Sequence, residues 1–229
     1  MSYDVMFDDK GSYTDFCMKF KSYDITMPEA KTTLVPVPGS NVTLDYTEMN
    51  GDVFYEHRKL TMVFGLSASY EGWHDAVSAF ANYINGQHRK IILPTDSGFY
   101  YTGRSQISPK KTDRVLGTVT VEALVYPYKK EVQDSTEDWA WDTFDFENGT
   151  IREYGEVTVP GTITIDGRRE KVIPTFSCSA DMTMTYDGTT YNLTAGENTI
   201  YSLALGDGEH ELTFSGTGKV TVGYRGGSL

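Results

Sequence analysis

The chain has 229 residues, of which 39% are hydrophobic and 13% aromatic, with a formal net charge of −12 and a sequence pI near 4.7. This length suits one large or two small domains with real cores, and the aromatic content excludes a disordered chain. The acidic balance excludes a general grip on nucleic-acid phosphates.

In chain order, Met6 to Phe20 reads as a hairpin turning at Asp8-Asp9-Lys10-Gly11. The segment from Met27-Pro28 to Pro36-Val37-Pro38-Gly39 is extended, since its prolines exclude a helix. Val42 to Tyr46 enters a strand, and Asn50-Gly51 is the signal of a tight hairpin. Phe54 to Phe64 is a long strand with Leu60, Met62 and Phe64 on one face. One convincing helix follows, over residues 72–84: Trp73, Val77, Phe80 and Ile84 recur at a 3.6-residue period and form the core-facing stripe. Asn85-Gly86 ends it, because a left-handed residue suits Gly or Asn. Ile107 to Asp113 reads as a loop and Leu116 to Tyr126 as another strand, closed by Pro127.

Composition changes at Lys129. Residues 129–138 are polar and aperiodic and read as a linker between residues 1–128 and 139–229. Beyond it, short β-runs alternate with turns at Asp166-Gly167, Asp187-Gly188, Gly206-Asp207-Gly208 and Gly216-Thr217-Gly218. That spacing predicts a β-sandwich. The fold class expected is therefore mainly β: a β-barrel-like first domain with one helix, then a sandwich.

Residues that could carry chemistry form no catalytic, cofactor or metal pattern. His57, His74, His88 and His210 lack zinc-site spacing. Cys17 and Cys178 are too far apart for a framework and are expected buried and reduced. Gly216-Thr217-Gly218-Lys219 resembles part of a phosphate loop, but Val220 stands where a magnesium-holding hydroxyl is needed and no helix follows. Gly65 to Ser69 lacks the final glycine of a nucleophile elbow. Glu137, Asp138, Asp142, Asp145 and Glu147 are dense but not spaced as a calcium loop. Asn41-Val42-Thr43, Asn148-Gly149-Thr150 and Asn192-Leu193-Thr194 match a glycosylation pattern, read as chance matches because the acidic start of the chain lacks a basic-then-apolar leader. No apolar run reaches membrane-spanning length, so no membrane insertion is expected. Trp73, Phe64, Phe80 and Phe99 are expected in the core. Trp139 and Trp141, at i and i+2, would share one face of a strand, as a domain-junction anchor or an exposed interface.

Several local patterns then occur in a telling order. Ser12-Tyr13-Thr14-Asp15-Phe16 precedes the Val37-Pro38-Gly39 turn and Leu44-Asp45-Tyr46. Tyr55-Glu56-His57-Arg58-Lys59-Leu60 leads to the Trp-containing helix with its Ile-Asn-Gly end. Tyr100 to Arg104 and Tyr126-Pro127-Tyr128 follow. The second half has Leu193 to Ile200, Gly208-Glu209-His210-Glu211-Leu212 and a terminal Tyr224 to Leu229. Across nearly the whole chain this order resembles the distal tail protein family of long-tailed bacteriophages with non-contractile tails.

The resemblance implies a structural, non-enzymatic protein: a ring-forming first domain and a galectin-like second domain. It implies a homo-hexamer ring at the virion tail tip, assembled in the bacterial host cytoplasm. The implied partners are the tail tube protein, the tip protein and receptor-binding proteins, with DNA passing through an acidic or neutral lumen and no sequence-specific nucleic-acid binding. The second half is too short for the arm insertion that some members use for receptor-binding proteins. The competing classes are a carbohydrate-binding sandwich and a cell-wall hydrolase. The sugar pattern His-x-Asn-x-Arg has no match around His210, so no useful sugar affinity is expected.

Overall fold

The computed structural model describes residues 4–67, 70–111, 116–137 and 156–229. The chain divides into two compact units, Met1–Asp96 with Tyr101–Pro127, and Ser97–Tyr100 with Tyr128–Leu229. It is mainly β, with one helix among the described residues. That helix is not long and apolar enough to cross a membrane.

The first unit contains β1 (Met6–Phe7), β2 (Lys10–Gly11), β3 (Lys19–Ile25), β4 (Leu34–Pro36), β5 (Thr43–Asp45) and β6 (Arg58–Ser67). Then come α1 (Tyr70–Ile84), β7 (His88–Ile92), β8 (Phe99–Lys111) and β9 (Leu116–Val125), with Phe99 and Tyr100 clustering in the second unit. The sheet order is β2-β1-β7-β8-β9-β6-β3, antiparallel at each pairing, while among the described residues β4 and β5 pair only with each other. Strand alternation decides the core. Leu60, Met62, Phe64 and Leu66 of β6 and Val119, Val121, Ala123 and Val125 of β9 are buried, and α1 adds Trp73, Val77, Phe80 and Ile84. Phe80 meets Phe7 and Phe64 edge to face, with centroids 5.7 and 5.8 Å away, the arrangement that ring quadrupoles favour. Each such side chain contributes about 1.5–3 kcal/mol when fully buried.

The helix ends where the sequence places its stop. Gly86 has φ of 71° and Gln87 donates to the Ile84 carbonyl. Arg89 donates from Nε and Nη2 to the Tyr83 carbonyl, a cation at the negative end of the helix. Its Nη1 also reaches Asp8, and the Tyr83 hydroxyl donates to Asp9, so the β1–β2 turn is latched to the helix terminus.

Several expectations need correction here. Ile107 to Lys111 is not a loop: β8 runs through it, paired with β9 from Gly103↔Val125 to Lys111↔Gly117. Beyond β7 this half of β8 is an edge, where Pro109 is tolerated. The long strand spans 58–67 rather than 54–64, and the helix begins at Tyr70. Asn50-Gly51 closes no hairpin. It lies in successive turns, with Met49 donating to Tyr46 and Gly51 to Glu48, because no alternating runs flank it. Cys17 is exposed, its neighbour Met18 taking the interior position. Phe99 is only half-buried, within range of Lys129 and Arg168.

The second unit contains β10 (Lys129–Glu131), β11 (Glu156–Gly167), β12 (Thr175–Cys178), β13 (Met182–Tyr186), β14 (Thr189–Leu193), β15 (Gly196–Thr199), β16 (Gly208–Gly223) and β17 (Gly227–Ser228). Its main sheet has the order β14-β13-β16-β12-β15, with β11 on β16. Gly216-Thr217-Gly218 is not a turn between strands but a bend inside β16. Gly216 and Gly218 have φ of 128° and 112°, values a side chain rarely adopts. Opposite them the β11 register shifts between Val159 and Gly161. The bend folds the strand over its own core. Phe176 pairs with Val222, about 26 Å along a straight strand from Phe214, yet the two rings are 6.1 Å apart. Leu212, Phe214, Val220 and Val222 thus share one buried cluster with Phe176 and Met184. At Asp187-Gly188 both residues have positive φ, as a two-residue hairpin requires.

Residues 129–137, expected to be linker, are held by hydrogen bonds within this unit. β10 pairs with β17 and with Phe99 and Tyr100. The buried Ser135 hydroxyl donates to Val222 O and accepts from Tyr224 N. Polar composition misled because the polar groups here are paired. Glu131 is buried, bonded to Arg168 Nε at 2.5 Å and to the Gly226 amide at 3.0 Å. Arg225 donates to the carbonyls of Glu131 and Val132.

Candidate interaction surfaces

Among the described residues no group of three His, Cys, Asp or Glu is placed to hold a metal. The histidines are dispersed. His74 packs on Trp73, and His210 shares its ring nitrogens between the Tyr186 hydroxyl and the Gly206 carbonyl. His57 and His88 flank Tyr126, at centroid distances of 5.1 and 5.7 Å. Neither cysteine is in a disulfide, and burial pushes the Cys178 thiol up from its ordinary pKa. Trp73, Val77, Phe80 and Ile84 are all buried in the first unit. Trp139 and Trp141 lie outside the described residues, as do Asp138, Asp142, Asp145, Glu147 and Asn148. In the second unit a shallow groove of about 480 Å³ is lined by Asp181, Thr183, Asn192, Thr194 and Ser215. Its polar groups are partly committed, Asp181 to the Ala195 amide.

The surface that stands out is the β4–β5 hairpin. Leu34 pairs with Asp45, Val35 with Leu44 and Pro36 with Thr43. Flanking bonds from Val37 N to Val42 O and from Tyr46 N to Thr33 O extend the ladder at both ends. Side chains alternate across a strand, so Val35, Val37, Val42, Leu44 and Tyr46 fall on one face. Apart from Thr33 opposite Tyr46 at one end, that face is apolar, and the first core does not contain it. Val42 is 57% exposed, Val35 44%, and Leu44 and Tyr46 43% each. Met27, Leu34, Met49 and Phe54, in the same segment, are exposed as well. A two-stranded hairpin is marginal on its own in water, and a contiguous apolar patch of this kind marks an interaction surface. The segment is also acidic, with Glu29, Asp45, Glu48 and Asp52 against Lys31. Sequence reading found the extended run and the strand but not that their apolar face stays uncovered.

The sheet of the first unit has a second exposed surface, opposite its core. Register aligns Lys59, Leu124, Arg104 and His88 across β6, β9, β8 and β7. All four are exposed, Leu124 at 58%, and Tyr126 beside them at 47%. Lys59 pairs with Glu122 at 2.8 Å. Arg104 donates to the Gly86 carbonyl rather than to a carboxylate.

One buried group lies among these strands. Arg58 is 3% exposed, with Nε and Nη2 lacking hydrogen-bond partners, and its guanidinium lies 5.1 Å from the Tyr101 ring centroid. Burial lowers its pKa, opposed by the Tyr101 and Asp96 charges. Burial also pushes Tyr101 up to about 12, with Asp96, which accepts its hydroxyl, adding to the shift.

Known proteins offer one line of comparison. No family model matches the chain, and no curated protein matches it. Among solved structures it is similar to the SPP1 Dit (gp 19.1) protein, described as a paradigm of hub adsorption apparatus in phages infecting Gram-positive hosts. The TM-score is 0.58 at 11% identity, over 97% of this chain and 98% of that one. The chain therefore shares its fold with that distal tail protein over nearly the full length of both.

Proposed function

We propose that this protein is a structural hub of a phage tail tip, working by assembly and not by catalysis. The observation that carries the reading is the fold correspondence with SPP1 Dit over nearly the whole of both chains. The uncovered hairpin of the first unit supports it, since an apolar face of this kind is made for a protein partner. Copies of the chain would form a six-fold ring, with the tail tube protein on one side and the tip protein on the other. Such a ring needs heterologous contacts, in which two different patches of one chain meet. The first unit offers two patches, the hairpin and the Leu124–Tyr126 surface. Immunogold labelling of purified phage particles with antibody against this protein tests the reading. Label confined to the tail tip is expected. Label on capsid or along the whole tube, or tails free of the protein, would overturn it.

A further inference from the structure

Resting on the hub reading, we infer that the apolar face of the β4–β5 hairpin docks on the Leu124–Tyr126 surface of a second copy of this chain. The hairpin offers Val35, Val42, Leu44 and Tyr46, all exposed and all on one face. The receiving surface offers two large apolar side chains, Leu124 and Tyr126, in the middle of an exposed sheet face. Both exist in the same chain and neither covers the other, which is the condition for a head-to-tail contact.

Charge selects this partner over the simplest alternative. Two hairpins could pack apolar face to apolar face, as small sheets do. That arrangement would bring together two segments that each carry Glu29, Asp45, Glu48 and Asp52 against a single Lys31. The Leu124–Tyr126 surface has the opposite character. Lys59 and Arg104 lie in register on either side of Leu124; Glu122 on the same face is taken by Lys59, and Arg104 bonds a carbonyl, which leaves one positive charge in excess around Leu124. An acidic hairpin is attracted to an apolar surface that carries an excess positive charge, and like-charge juxtaposition disfavours the symmetric pair.

A head-to-tail contact makes a complementation test possible. One variant carries Val35→Asp and Leu44→Asp, the other Leu124→Asp. All three positions are exposed, so both variants should keep the wild-type circular dichroism and melting temperature. Sedimentation velocity of the full chain is followed up to about 1 mM, the range in which weak contacts fill. Wild type is expected to form multimers that weaken at least tenfold in affinity between low and high salt. Each variant alone should be monomeric, and an equimolar mixture should give heterodimers that stop at two. Assembly of the Leu124→Asp variant by itself would overturn the proposal in favour of paired hairpins. A mixture that stays monomeric, or a wild type monomeric throughout, would overturn it too. Either failure leaves the hub reading to be judged separately by the labelling of tails.

Discussion

Two hairpins in this molecule have similar apolar content and opposite fates. β13–β14 turns at Asp187-Gly188 and buries Met182, Met184 and Leu193, because β16 flanks it and a closed core lies beneath. Among the described residues β4–β5 pairs with no other strand, and its Val35, Val42 and Leu44 stay exposed. Alternation alone would assign both to a core. What separates them is the third strand, which decides whether the apolar face of a pair is already covered or waits for a partner. In the first case the apolar residues stabilise the fold. In the second they are available for assembly.

This contrast can be broken by truncation. Trp73→Ala and Phe214→Ala remove side chains from the two cores and should each cost about 3–5 kcal/mol. Trp73 is enclosed tightly enough that a methyl at Gly117 would overlap its indole nitrogen. Val35→Ala in the hairpin should change stability by less than about 0.5 kcal/mol. Chemical denaturation of the three variants checks this. A Val35→Ala loss as large as a core loss would mean that the hairpin is held by the chain itself.

The next effect concerns residues 129–137. Glu131→Ala removes the carboxylate that Arg168 and the Gly226 amide share. Breaking a buried ion pair by removing one partner costs about 3 kcal/mol or more, and the partial exposure of Arg168 together with its contact on the Phe99 ring reduces this to about 2 kcal/mol. A thermal unfolding shift is expected, with the lysine variant at position 131 at least as severe because it adds a like charge. Limited proteolysis sharpens the same comparison. The first cut should fall between Met27 and Phe54, not between Lys129 and Glu137, because the first segment has an uncovered hairpin and the second is paired. Mass mapping of the first fragments decides between them.

A smaller effect comes with pH. Burial raises the pKa of Asp4, but hydrogen bonds from Thr14, the Tyr13 amide and Ser12 outweigh it and hold the carboxyl below its usual value. A depressed carboxylate contributes stability above its unfolded pKa of about 3.9 and loses it as pH falls through the folded value. Asp4→Asn should therefore lower stability at neutral pH and make the acid limb shallower. Melting temperatures from about pH 6 to about pH 3, across the carboxylate range, should show the wild-type and variant curves converging at the acid end.

The sequence carried the parts of the fold that depend on local periodicity. The helix was legible because Trp73, Val77, Phe80 and Ile84 repeat on one face and Asn85-Gly86 ends it. β6 and β9 were legible from alternation. The bend at Gly216-Thr217-Gly218 was not, since glycine pairs of this kind serve equally in turns and in kinks of long strands. Residues 129–137 were misjudged because composition reports polarity but not pairing. The exposed apolar strip was half legible: alternation on both sides of Pro38-Gly39 places Val35, Val37, Val42 and Leu44 together, but whether other strands cover them is a tertiary fact. The Leu124–Arg104–His88 row could not be read at all, for it needs the register of three strands.

The central claim is that this chain forms the hub ring of a tail tip through its first unit. Averaged electron microscopy of isolated tail tips tests it most directly. The account predicts a six-fold ring into which the first unit fits, with the β4–β5 hairpin against the Leu124–Tyr126 surface of the neighbouring copy. A tip ring built from a different protein, with this chain absent from its density, would contradict it.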